Sequence, residues 1–169
     1  IILDQFSNKA NPSIHYNTTA KEIWDSVEGK IDNLISGVGT GGTISGIGAF
    51  LKEKNQKIKI IAVEPEDSAV ISGKEAGSHS IQGIGAGFVP KNLDISIIDE
   101  TLSISNNSAF FFSRDLAKCE GIPGGISTGA VIAAAVEIHE RKEMQNHCSV
   151  IIVPSFAERY LSTELFSES

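Results

Sequence analysis

Between an apolar run that ends at Ser36 and a helical pattern that begins at Thr43, the chain reads ISGVGTGGTISG, residues 35–46. Five glycines and two threonines within this stretch carry too much backbone freedom for the interior of a strand or helix. The segment must instead turn the chain sharply at a place where something approaches the main chain. A glycine turn joining a buried strand to a helix is a βα junction, which narrows the fold to alternating α/β architectures.

The rest of the chain keeps that alternation. SNKANPS (7–13) reads as an Asn/Pro-rich loop, and Thr19-Ala-Lys-Glu22 has the capping-box pattern, opening a short helix with Ile23, Trp24 and Val27 on one side. Residues 31–36 read as a buried strand, and Thr43 to Lys54 as a helix through Ile44, Ile47, Phe50 and Leu51. KIKIIAVEP (57–65) is β-rich and stops at Pro65; GIGAGF (83–88) leads into LDISIIDETLSIS (93–105), which holds one or two strands. Asn106 to Lys118 and the alanine-rich Ser127 to Lys142 read as helices, and CSVIIVP (148–154) as a final buried strand. The predicted fold is a single α/β domain over residues 1–169, a mostly parallel twisted sheet with helices on both faces.

Composition narrows the partners. At 41% hydrophobic and 21% charged residues the chain can build a core, and a net charge of −7 argues against a nucleic acid or an anionic membrane as the main partner. No apolar run reaches the ~20 residues of a membrane span. Cys119 and Cys148 form no disulfide framework, which points to a reducing compartment, and the four histidines lack metal-ligand spacing. The chain enters on the apolar, strand-like IILDQF and its sole methionine is Met144, so it is expected to be part of something longer.

Gly37-x-Gly39-x-x-Gly42 matches the dinucleotide fingerprint, and Glu64, ending the next strand, stands where a ribose-binding acid would. Thr40 and Thr43, however, add hydroxyl donors beside the glycine amides, a set that suits a terminal phosphate monoester better than a bridging pyrophosphate. A tight turn with no ligand remains open too. QGIGAGF (82–88), GGISTGA (124–130) and PSFAERYLST (154–163) each set glycine or small hydroxyl residues beside a predicted strand end, where open α/β sheets bind ligands. Ser127 alone reads equally well as the N-cap of the alanine-rich helix.

Taken together and in this order, QFSNKANPSIHYNTTAKEIWD, GVGTGGTISG, VEPEDSAVISG, HSIQGIGAGFVPKNLD, GISTGA and PSFAERYLST resemble the cysteine synthases, also called O-acetylserine sulfhydrylases. These are pyridoxal-phosphate enzymes that make cysteine and acetate from O-acetylserine and sulfide. The resemblance implies the larger, C-terminal domain of the tryptophan-synthase-β-like fold (fold type II). It implies that Gly39, Thr40, Gly41, Gly42 and Thr43 hold the cofactor phosphate, that Ser127 hydrogen-bonds the pyridine nitrogen, and that Gly83 lines the substrate side. A neutral hydroxyl at that nitrogen suits β-elimination and replacement better than transamination.

The family's Schiff-base lysine, in a Ser-x-Lys-x-Arg motif, and its Thr-Ser-Gly-Asn loop match nothing here, and none of the eleven lysines has that context. Lys52, Lys54, Lys57 and Lys59 read as solvated. No catalytic residue and no metal site is therefore assigned, and this chain alone is expected to be inactive. The resemblance further implies a homodimer, and the C-terminal tail of serine acetyltransferase as a protein partner. A second reading is a non-catalytic homologue that binds a phosphate ligand or that tail. The cytoplasm is the expected compartment, or a plastid or mitochondrion if a transit peptide precedes the sequence.

Four departures from the family pattern carry expectations. Thr128 stands for a serine and adds a methyl beside the ring site; Ala157 stands for a glycine, which matters only at positive φ. AGSH (76–79) replaces PGPH and should loosen its loop, and Pro123-Gly124 should weaken the strand edge they lead into. A sheet lacking neighbouring strands should also expose an edge and favour self-association.

Overall fold

The computed structural model describes residues 2–166. Strands β1 (Asn33–Gly37), β2 (Lys59–Pro65), β3 (Glu100–Ile104) and β4 (Ser149–Ile151) form one parallel sheet in the order β3-β2-β1-β4. Asn33 pairs in register with Lys59 on one side and Ser149 on the other, and Ile61 with Glu100.

The period of two along each strand sorts the core into two layers. Leu34, Ile60 and Ala62 face α3 (Gly42–Lys54), packing on Ile44, Ile47 and Leu51, with Ala20 of α2 (Thr19–Ser26) beside them. Ile35, Ile61, Val63, Leu102 and Ile104 face the opposite way, onto α5 (Ile126–His139) and Ala109 of α4 (Asn106–Glu120). Each fully buried leucine or isoleucine contributes roughly 1.5–3 kcal/mol, so both faces must be covered for the sheet to persist. That is why β2 reads as an unbroken apolar run from Ile60 to Val63, while β1 sets Leu34 and Ile35 between the buried polar Asn33 and Ser36.

Topology then locates the place where a ligand can sit. From β1 the chain steps to β2 and β3 on one side, and through α4 and α5 it returns to β4 on the other. The switch point lies between the carboxyl ends of β1 and β4, where the connections diverge and leave a crevice. Helices α3 and α5 both begin at that edge, from opposite faces of the sheet.

Several elements differ from the sequence reading. The stretch read as a loop contains helix α1 (Ala10–Asn17), because Pro12 falls in its first turn, where a missing N–H costs nothing. The capping box does not form: Glu22 N–H bonds the Thr18 carbonyl, Thr18 Oγ1 donates back to the Ile14 carbonyl, and Thr19 Oγ1 meets His15 Nδ1 at 3.0 Å. Residues 93–105 hold one strand preceded by a 3-10 turn at Ile95–Ile97. Helix α5 stops at His139, and β4 is a three-residue, half-buried edge strand rather than a buried one. Ile2 and Leu3 form no strand and are exposed; Ile1 lies outside the described residues. Lys52 is not simply solvated, since its ammonium lies 2.7 Å from Asp99 Oδ2 with the side chain largely covered. Lys54 sits over the Trp24 and Phe50 rings.

Candidate functional site

The glycine turn leaves β1 at Gly37 and enters α3 through Gly41, which caps the helix at φ +79°, a left-handed conformation that L side chains rarely adopt. A Cβ on Gly39 would overlap the carbonyl oxygen of Gly83, so the two glycine segments touch backbone to backbone. Gly85 N–H bonds the Val38 carbonyl at 3.0 Å and fixes that approach. Gly39, Thr40, Gly83, Ile84 and Ala86, with Gln5 and Phe6 opposite, enclose a cavity of ≈ 270 Å³.

Across the sheet, Ser127 and Thr128 lie in the first turn of α5, both buried. Ser127 Oγ lies 2.7 Å from Ser155 Oγ, just beyond β4, and Thr128 Oγ1 donates to the Ser155 carbonyl at 2.8 Å. Gly83 connects the two halves, because a Cβ there would lie 3.7 Å from Ser127 Oγ. Of the seven predicted positions, which come from three separate sequence motifs, Gly39, Thr40 and Gly83 line this cavity and Ser127 lies beside Gly83, whereas Gly41, Gly42 and Thr43 stand behind the turn and do not line it. Ser127 is not the N-cap of its helix; Gly125 is.

The helix ends carry the electrostatics. The N-termini of α3 and α5 have glycine caps and no side-chain cap hydrogen bond, whereas α4, away from this crevice, is capped by Ser105 Oγ on Ser108 N–H. First-turn N–H groups have no carbonyl to bond within their own helix, and each N-terminus carries a partial positive charge. At these two ends the side-chain bonds are long ones, Gly42 N–H to Thr40 Oγ1 and Thr128 N–H to Ser155 Oγ, both at 3.4 Å, and the other first-turn N–H groups present donors. That donor set fits a phosphate monoester.

Two residues of α1 support the turn and were missed in the sequence. Asn11 Nδ2 donates to Thr40 Oγ1 at 2.9 Å, and His15 Nε2 lies 3.2 Å from Thr43 Oγ1. Asn11 falls within the 7–13 stretch that reads as a loop, and His15 reads in the sequence only as one of four scattered histidines. Burial holds the His15 imidazole below its ordinary pKa, so the ring is neutral at pH 7. Ser155, within PSFAERYLST, carries no signal of its own in the sequence.

Other sequence candidates fall elsewhere. The Glu64 carboxylate is buried and turned into its own loop, accepting from Ile71 N–H, Ser72 N–H and Ser72 Oγ, which leaves it no way to reach a ribose. Ala157 has no positive φ, so the alanine carries no backbone strain. In the AGSH stretch, Ala76 to Ser78 are exposed and outside any helix or strand, while His79, common to both patterns, is anchored: Nε2 lies 2.9 Å from the Gly85 carbonyl and Nδ1 accepts from Ile81 N–H. The Thr128 methyl points at Gly124, not at the crevice. Pro123 and Gly124 engage the segment after β4, with Ala157 N–H on the Pro123 carbonyl and a bridge between Gly124 and Phe156. A larger hollow of ≈ 780 Å³ over α4 lies apart from all of these residues.

A parallel α/β sheet with a glycine turn at its switch point is the architecture of the fold type II pyridoxal-phosphate enzymes. Residues 1–155 match the model of the family described as "Pyridoxal-phosphate dependent enzyme", and the chain belongs to that family; its cofactor is pyridoxal phosphate. The chain is 54% identical over 177 residues to a cysteine synthase of Buchnera aphidicola subsp. Schizaphis graminum, covering 100% of this chain and 55% of the relative. It is 48% identical over 176 residues to cysteine synthase A of Escherichia coli K12, covering 99% and 54%. The crystal structure of a cysteine synthase from Entamoeba histolytica superposes with a TM-score of 0.97 at 46% identity, over 100% of this chain and 50% of that one. The chain spans about half the length of the curated relatives it matches.

Proposed function

We propose that this chain is the cofactor-phosphate part of a cysteine synthase, whose longer form replaces the acetoxy group of O-acetylserine with sulfide to release cysteine and acetate. The observation that carries the reading is the backbone contact of Gly39 with Gly83 at one cavity, with Thr40 lining it, Ser127 beside Gly83 and the glycine-capped N-termini of α3 and α5 on either side. In this reading Gly39, Thr40, Gly41, Gly42 and Thr43 bind the phosphate through N–H and hydroxyl donors. Ser127 offers a neutral hydroxyl to the pyridine nitrogen, and Gly83, lacking a side chain, leaves room for substrate. When bound, pyridoxal phosphate supplies the electron sink for bond breaking at the substrate's α and β carbons.

The chain by itself is inactive in this reading. Among the described residues no lysine lines the cavity: Lys9 reaches the Lys91 carbonyl, Lys30 pairs with Glu28, and Lys52 with Asp99. On the same reading O-acetylserine and sulfide are substrates of the longer enzyme, and a second copy of it and the C-terminal tail of serine acetyltransferase are its protein partners. The two exposed, unpaired cysteines accord with a reducing compartment, the cytoplasm. No helix among the described residues is long and apolar enough to cross a membrane.

Equilibrium dialysis against pyridoxal phosphate, pyridoxal and NAD tests the site, alongside an assay of cysteine formation. Preferential retention of pyridoxal phosphate with no turnover supports the reading. Equal retention of pyridoxal, or preferential retention of NAD, refutes the phosphate assignment, and turnover by this chain refutes its inactivity.

A further inference from the structure

Thr40 Oγ1 is held in a particular hydrogen-bonding state. A hydroxyl has one proton to donate and two lone pairs to accept with. Here the oxygen accepts from Asn11 Nδ2 at 2.9 Å and, more weakly, from Gly42 N–H at 3.4 Å. Both lone pairs are engaged, and the remaining capacity of Thr40 is to donate. The orientation of the Asn11 amide is fixed independently, because its other proton goes to the Gln5 carbonyl at 2.8 Å, a group that can only accept. Asn11 Oδ1 fills the space a Cβ on Gly42 would need, so the amide is packed against the start of α3 as well as bonded. Asn11 itself does not line the cavity, while Thr40 does.

We infer that Asn11 is a positioning residue that commits the Thr40 hydroxyl to donation into the cavity, so that helix α1 selects for an anionic phosphate oxygen through Thr40. The inference rests on the phosphate reading of this crevice and deepens it. Four residues further along the same helix, His15 Nε2 lies 3.2 Å from Thr43 Oγ1, so one face of α1 meets both threonines of the turn. Asn11 acts on affinity for the phosphate alone; the pyridine and substrate ends of the crevice are served from α5 and the Gly83 loop.

The test compares dissociation constants for pyridoxal phosphate and pyridoxal on the whole chain, in wild type, Asn11→Leu, Thr40→Val and the double variant. Asn11→Leu keeps the side chain's approximate shape and removes its donors. The expected result is a roughly five- to tenfold loss of pyridoxal phosphate affinity in each single variant, the scale of one charge-assisted hydrogen bond. Pyridoxal affinity stays unchanged, and the double variant is no weaker than Thr40→Val. Multiplying losses in the double variant, or equal losses for both ligands, overturn the inference, since they mean that Asn11 acts otherwise than through Thr40. Unchanged affinity in Asn11→Leu overturns it while the phosphate site stands. A wild-type chain that does not prefer pyridoxal phosphate overturns both. Should Asn11→Leu fail to fold, Asn11→Asp replaces it: a carboxylate cannot donate to Thr40, and its loss must shrink in the Thr40→Val background for the inference to hold.

Discussion

Ser127 Oγ and Ser155 Oγ lie 2.7 Å apart, one in the first turn of α5 and the other just past β4. Ser155 is the hub of this contact: its hydroxyl also lies 3.3 Å from Thr128 Oγ1, its carbonyl accepts from Thr128, and its N–H donates to Thr128 Oγ1. A Cβ on Gly125 would crowd Ser155 Oγ, so the glycine cap of α5 is what lets that hydroxyl approach. Removing the Ser127 hydroxyl leaves Ser155 bonded to Thr128, whereas removing the Ser155 hydroxyl strips a partner from both neighbours. Ser127→Ala is expected to cost about 0.5–1.5 kcal/mol and Ser155→Ala about 1–3 kcal/mol, because the latter strips the buried Ser127 hydroxyl of its Ser155 partner, while Thr128 Oγ1 keeps its bonds to the Ser155 backbone. Urea denaturation midpoints of the two variants check the order; a larger loss for Ser127→Ala contradicts it.

The approach of Gly39 to the Gly83 carbonyl makes a prediction in which stability and binding move together. An alanine at position 39 has no space against a backbone oxygen, so the Gly83–Gly85 segment must withdraw and the Gly85 N–H to Val38 bond must lengthen. Gly39→Ala is expected to destabilise the chain by roughly 1–3 kcal/mol, the usual cost of overpacking, and to weaken pyridoxal phosphate retention more than pyridoxal retention. Thermal melts and equilibrium dialysis on the same preparation check both halves. A variant as stable as wild type means that the two glycine segments do not touch.

Asp99 links three elements: it lies 2.7 Å from the Lys52 ammonium on α3, accepts from Ile60 N–H on β2 at 2.7 Å, and stands 3.8 Å from the Lys59 ammonium. Burial alone pushes its carboxyl up, but the Lys52 hydrogen bond, the Ile60 N–H and the two ammonium charges outweigh burial and hold it below its ordinary value. A carboxylate lowered in the folded state binds fewer protons there than in the unfolded chain, so its stabilisation is complete above the unfolded value of about 4 and is lost as pH falls through the folded one. Asp99→Asn is expected to be less stable than wild type at pH 7, with the gap in melting temperature narrowing as the pH is lowered below about 4. A gap that stays constant across that range means the charge of Asp99 contributes nothing.

The alternation of elements was legible because it rests on periodicity: Leu34 and Ile35 face opposite layers, and Ile44, Ile47 and Leu51 recur at helical spacing. The turn residues Gly39 to Thr43 were legible for the same local reason, since glycine and threonine in that pattern have few other uses. What could not be read was whatever depends on contacts between distant segments. Pro12 looked like a loop signal, and only the packing of α1 against α3 shows that it sits in a helix's first turn. Glu64 occupied a plausible ribose-binding position in the sequence, yet its carboxylate is claimed by Ile71 and Ser72 through a loop whose path no local pattern reveals. Lys52 looked solvated because its partner, Asp99, is far away in the chain.

Two departures from the family pattern turn out to depend on one another. Gly124 and Thr128 are in contact: a Cβ on Gly124 would come within 2.5 Å of Thr128 Cγ2 and 2.9 Å of its Cβ, with Leu116 Cδ2 next at 3.4 Å. The methyl that threonine adds over serine therefore occupies the space a larger residue at 124 would take. The Gly124 carbonyl is meanwhile fixed by Ser113 Oγ at 2.8 Å, so the backbone there cannot retreat without breaking a buried hydrogen bond. Gly124→Ala is expected to destabilise the chain by about 1–3 kcal/mol through overpacking, and Thr128→Ser by less, since the hydroxyl that holds Ser155 remains. The double variant should recover part of the Gly124→Ala loss, because serine removes the nearer of the two Thr128 atoms. Denaturant midpoints of the four proteins close the cycle. Strict additivity would show that the two positions do not share this space, and that the glycine at 124 and the threonine at 128 are independent substitutions.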